Sequence, residues 1–145
     1  MNRIYAIDVY RKALGKQTKI ISRLYGGMMN VSYLLEDEDE NVFILYLPNG
    51  KANKIVDRNN ELAVIKIAYK LGLTKENVYF DTLHGIKINS YIPGSSLDKL
   101  NEFDYDKVAD LLHLFHDSKQ LAPKDYQPLN RLAYFENEAL KYCQE

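Results

Sequence analysis

Tryptophan is absent from this 145-residue chain, and cysteine occurs once, at Cys143. A single cysteine excludes an intrachain disulfide and fits a reducing cytoplasm, the expected location. Long apolar runs are missing too. None approaches the ~20 residues a membrane-spanning helix needs, and the opening "MNRIYAIDVYRKALG" lacks the apolar stretch of a signal peptide. No membrane partner is therefore expected. There is no surplus of positive charge: the net charge of −1 provides no basic field to draw nucleic acid. Internal repeats are absent, and the only biased segment is the acid run Glu36–Glu40. What remains, 46% hydrophobic and 27% charged residues, is the balance of a folded globular chain. Its length suits one domain or a two-lobed fragment. The 12 tyrosines are a bias of composition to which no function is attached.

Periodicity gives the order of elements. Ile4, Ile7, Val9 and Leu14 recur at helical spacing before Gly15, which predicts a helix over 3–14. Three strands follow, "TKIISRLY" (18–25), "NVSYLLE" (30–36) and "VFILYLP" (42–48), rich in β-branched and aromatic residues. The last two are joined by the acid run, expected to face water because five like charges cannot be buried together. Leu62, Ile65, Ala68 and Tyr69, with Leu71, mark a second helix with Asp57 as its N-cap and Gly72 at its end. "NVYFDT" and "IKINSYI" form a hairpin around Gly85. Pro93-Gly94-Ser95-Ser96 is a breaker cluster. Beyond it, Val108, Leu111, Leu112 and Phe115 define a helix over 104–118. Pro123 and Pro128 bracket a loop, and Asn130 is expected to cap a last helix with Leu132, Phe135 and Leu140. The fold class is thus α+β: a five-stranded antiparallel sheet with a packed helix, then two C-terminal helices. The divisions are a lobe over 1–93, a linker over 94–103, and a helical region over 104–145 that begins a second lobe.

Between the first two strands stands "GGMMN", Gly26 to Asn30. Read alone it is a tight turn, since glycine and asparagine tolerate positive φ. Two adjacent glycines also strip the tip of Cβ atoms, so a phosphate could reach the backbone N–H groups. A Gly-rich hairpin, a third strand and a helix bearing an acid follow the order of a kinase N-lobe. In such a lobe a third-strand cation grips phosphate and a helix Glu orients it. Glu61 occupies the Glu position, though an acid near a helix start is favoured by the dipole in any case. Asp110, His113, His116 and Asp117 have helical spacing that metal ligands can use, but with no second ligand-bearing segment they read as a solvated helix face. The acid run is not preorganised for a cation. Cys143 has no partner that would make it a nucleophile.

From about Ile20 to Tyr134 the chain resembles the bacterial choline kinases of the choline/ethanolamine kinase group. These share their fold with aminoglycoside phosphotransferases and protein kinases. The pieces that carry the resemblance are "YGGMMNVSYLL", "FILYLPNGKANKIVDRNNE", "AYKLGL", "VYFDTLHGIKINSYI" and "LLHLFHDS". It implies transfer of the ATP γ-phosphate to an amino-alcohol hydroxyl with Mg²⁺. It also implies that Gly26, Gly27 and Asn30 cover the phosphates and that Glu61 is the helix Glu. Ser90, Tyr91 and Ile92, within "SYIPG", would carry the adenine on their backbone.

Two departures limit what the resemblance implies. The third-strand position that is basic in the family is Tyr46, neutral near pH 7. Lys51, Lys54 and Arg23 are the candidates to replace the missing cation, while Arg58 is assigned to the first turn of the helix. The family's catalytic loop, with its Asp base, Asn and metal-binding Asp, has no counterpart before Glu145. The expectation is nucleotide binding without efficient turnover by this chain alone, with no catalytic or metal-binding residue assigned. The alternative is a non-catalytic, self-associating module with the same fold. In that reading Leu111, Leu112, Phe115 and Phe135 expose an apolar surface for a second copy. A separate chain supplying the second lobe is a third possibility.

Overall fold

The computed structural model describes residues 3–49, 56–94, 104–125 and 127–143. The elements run α1 (Arg3–Leu14), β1 (Thr18–Leu24), β2 (Asn30–Asp37), β3 (Val42–Pro48), α2 (Arg58–Lys70), β4 (Asn77–Asp81), β5 (Ile86–Ser90), α3 (Tyr105–Asp117) and α4 (Pro128–Leu140). The strands form one five-stranded sheet in the order β1-β2-β3-β5-β4, with each neighbouring pair antiparallel. Lys51, Lys54 and the expected linker beyond Gly94 lie outside the described residues.

Strand alternation divides the sheet into two faces. Tyr33 and Leu35 of β2, Leu45 and Leu47 of β3, and Ile88 of β5 are buried on one face. α1 covers that face: Ala6 and Tyr10 are fully buried, and the Tyr10 ring lies 5.8 Å from that of Phe43. These residues form the core. The opposite face carries Ser32, Leu34, Ile44, Tyr46, Lys87 and Asn89, paired in register and half-buried. This second face positions the site.

Alternation also explains where the acid run departs from expectation. Asp37 shares the parity of Tyr33 and Leu35, and is buried with them. Its carboxylate accepts the backbone N–H groups of Asp39 (3.0 Å) and Asn41 (2.9 Å), and Lys16 stands 3.6 Å away. Burial alone would push the Asp37 carboxyl up; the Asn41 and Asp39 donors and the Lys16 charge hold it below the ordinary value. The run does not face water as a whole, because one of its members closes the turn from within.

The helix starts follow local chemistry. Asp57 caps α2, its carboxylate accepting the N–H groups of Asn59 (3.1 Å) and Asn60 (3.0 Å). Asp104 caps α3 by accepting the Lys107 N–H at 3.1 Å. For α4 the cap is Gln127, not Asn130, and Pro128 begins the helix instead of closing a loop. Proline suits the first helical position, where its missing N–H costs nothing. Asn130 sits inside the first turn, its amide donating to the Gln127 side chain.

Candidate functional site

Glu61 lies on the first turn of α2 and reaches the open face of the sheet. One carboxylate oxygen accepts from the ammonium of Lys87 on β5, the other from Arg58 at 2.7 Å. The Lys87 side chain is only 12% exposed and that of Arg58 only 7%. Burial would raise the Glu61 carboxyl, but the Lys87 and Arg58 hydrogen bonds outweigh it, so the acid titrates below its ordinary value. Glu61 is therefore a carboxylate at neutral pH.

Tyr46 and Lys87 are register partners across β3 and β5. The Lys87 ammonium stands 5.2 Å from the centroid of the Tyr46 ring and 5.6 Å from that of Phe80, within cation–π range. Burial raises the Tyr46 hydroxyl above its ordinary value, so it stays a neutral phenol.

The loop between β1 and β2 lies at one end of this arrangement. Gly26 has φ +131°, a conformation L side chains rarely adopt, and a Cβ on Gly26 or Gly27 would meet nothing within 4 Å. The tip is open on both sides. Its far half is tied down by Asn49: the backbone N–H donates to the Met29 carbonyl at 2.9 Å, and the side-chain amide to the Met28 carbonyl. Asn30, first residue of β2, shares the parity of Ser32 and hence the face of Tyr46. Its amide oxygen is buried without a hydrogen-bond partner among the described residues.

At the end of β5, the Ser90 N–H donates to the Glu76 carbonyl (3.0 Å) and the Tyr91 N–H to the Val42 carbonyl (2.9 Å). Both donors are thus spent on the sheet, and a ligand edge would meet the backbone from the half-exposed Ile92 onward. Arg23, a candidate for the missing cation, pairs in register with Tyr33 and so belongs to the α1 side. Its guanidinium stacks 4.9 Å over Tyr25. A cavity of about 660 Å³ opens beyond Glu61, between the start of α2 and the segment leading into α4; Asn60, Lys124, Arg131 and Tyr134 line it. Among the described residues no three His, Cys, Asp or Glu side chains converge as metal ligands, and His113 is an exposed residue 4.0 Å from Asp117.

The structure thus brings Asn30, Tyr46 and Glu61 to one face and places Ser90, Tyr91 and Ile92 at its edge. Sequence reasoning missed Lys87. Its signal was there: a lysine between Ile86 and Ile88 takes the parity opposite to theirs, the parity of its register partner Tyr46.

Comparison with solved structures gives the class of the fold. LicA in complex with AMP superposes with a TM-score of 0.70 at 25% identity, over 94% of this chain and 48% of that one. The fold is a choline/ethanolamine-kinase-like N-lobe. Choline kinase LicA from Streptococcus pneumoniae gives a TM-score of 0.71 at 24% identity over the same shares. A Plasmodium vivax ethanolamine kinase gives 0.57 at 22% identity, over 82% of this chain and 32% of that one. The chain spans about half the length of the LicA chains it matches. No protein-family model and no curated protein sequence matches it. Within this kinase-like N-lobe, Glu61 is the acid on the helix after the third strand, and its cation partner comes from β5.

Proposed function

We propose that the chain is the nucleotide-binding part of a choline/ethanolamine-kinase-like phosphotransferase, which moves the γ-phosphate of ATP to an amino-alcohol hydroxyl. The observation that carries the proposal is the half-buried Glu61–Lys87 ion pair on the open sheet face of a lobe whose fold is shared with an AMP-bound kinase. Kinases keep such a pair to position phosphate. Gly26 and Gly27 leave their backbone open to phosphate oxygens, Asn30 stands at the base of the loop, and Ile92 offers backbone to the adenine. Tyr46 contributes an apolar wall in place of a cation. The Mg²⁺ implied by the resemblance finds no converging ligand set among the described residues. No residue of this sequence is assigned as a catalytic base, and the chain by itself is expected to bind nucleotide and turn it over poorly. Titration of the purified chain with ATP and AMP, followed by backbone NMR, tests this. Shifts centred on Gly26–Asn30 and Tyr91–Ile92 are expected, without choline-dependent ADP release. An unperturbed spectrum at millimolar ATP rejects the proposal.

A second reading, a self-associating module of the same fold, draws on one feature. Neither α3 nor α4 has a buried residue, and of the residues expected to be exposed Leu111, Leu112 and Phe135 are each more than 40% exposed, whereas Phe115 is half-buried; Leu132 is exposed beside them. A second copy would cover them. Mass measured by light scattering across concentration separates the readings, since a monomer at all concentrations removes the second.

A further inference from the structure

We propose that Lys87 supplies from β5 the phosphate-binding cation that β3 lacks, so that the polyphosphate of a nucleoside triphosphate is gripped across a strand boundary. This rests on the nucleotide-binding reading and deepens it. Directly opposed residues of an antiparallel pair have Cβ atoms about 5 Å apart, a gap that the four-carbon stem of lysine spans. The register puts Lys87 opposite Tyr46, and the ammonium lies over the Tyr46 ring. The same ammonium stands 5.6 Å from the Phe80 ring of β4, so the charge is held between the two rings on the open face, within reach of the β3 position. Glu61 meets Lys87 there, so the acid that orients the cation keeps its place on α2 while its partner has moved one strand along.

The local charge balance favours an anion. Glu61 accepts from both Lys87 and Arg58, so its own charge does not repel an anion from Lys87. An ammonium has three donors, and one bond to Glu61 leaves others for phosphate oxygens. Arg58 keeps Glu61 compensated as Lys87 turns toward the ligand. Of the other cations considered for this role, Arg23 belongs to the opposite face, and Lys51 and Lys54 lie outside the described residues. Tyr46 is then a wall that holds the lysine stem and ammonium in position.

The test compares ATP with adenosine, which shares the base and ribose but has no phosphate, in titrations of the full chain by calorimetry. Wild type is expected to favour ATP by at least tenfold. Lys87→Met is expected to lose most of that preference while adenosine affinity stays within about twofold. The transposed variant, Tyr46→Lys with Lys87→Tyr, is expected to restore it by returning the cation to β3. A Lys87→Met chain that keeps the wild-type ATP-to-adenosine ratio overturns the assignment of Lys87 while leaving the nucleotide-binding reading intact. A wild-type chain that binds neither ligand overturns both. Should Lys87→Met fail to fold, the Lys87 ε-methylene resonance of wild type decides: a shift with ATP but not adenosine supports the assignment, and equal response to both rejects it.

Discussion

At the scale of single residues, Glu61 has the most to lose. Its carboxylate is held below the ordinary value by Lys87 and Arg58 against the cost of burial. A depressed folded-state value contributes stability above the ordinary carboxylate range, and that contribution is lost as pH falls through the folded value. Glu61→Gln leaves two enclosed cations without their acid. It should cost about 2 kcal/mol at pH 7, between an exposed pair and a fully buried one. Urea denaturation at several pH values checks this: the gap to wild type should be full at pH 7 and shrink below about pH 4. The two loop glycines should respond differently. Gly26→Ala forces a side chain into φ +131° and should cost about 1–2 kcal/mol in thermal unfolding. Gly27→Ala meets open space at ordinary φ and should stay within about 0.5 kcal/mol. Both glycines were legible as a pair in the sequence; that only Gly26 takes a positive φ was not, because the path of the folded loop, not the residue type, sets it.

At the scale of elements, the start of α2 shows how local chemistry and tertiary contact combine. Asp57 was readable as the cap, since an acid shortly before an apolar helical pattern can accept from the N–H groups two and three residues on. Its second role was not readable. The Lys124 ammonium reaches Asp57 at 2.5 Å and the Lys124 N–H donates to the Asn60 side chain at 3.1 Å, which docks the segment before α4 onto α2. Asp57→Ala should cost about 1 kcal/mol through the lost cap. Lys124→Ala, whose side chain is 70% exposed, should change stability by less than about 0.5 kcal/mol. Urea unfolding of the two variants side by side distinguishes cap from surface pair. The strands were legible to within a residue or two because β-branched alternation is a local signal. The start of α4 was misread because Asn130 resembles a cap, whereas Pro128 sets the helix going two residues earlier.

At the scale of the whole molecule, the sheet and α1 form a core, whereas α3 and α4 bury no residue. If a second copy covers them, Leu111→Lys with Leu132→Lys should abolish any concentration-dependent mass in light scattering. It should shift the melting temperature only slightly, since the two leucines are 53% and 64% exposed. By itself the sequence determined the order of strands and helices, the α+β class, the glycine loop and the acid on α2. Each of these depends on periodicity, turn chemistry or capping within a few residues along the chain. Only the tertiary structure decided that Asp37 goes inside, that Arg23 belongs to the α1 side, and that Lys87 stands opposite Tyr46 beside Glu61. Asp37 follows the parity of Tyr33 and Leu35, but which parity faces α1 is set by packing, and Arg23 takes its side from the β1–β2 register. Lys87 depends on the β3–β5 register and on α2 reaching β5, which join residues 41 and 26 positions apart, and no local pattern encodes such a pairing.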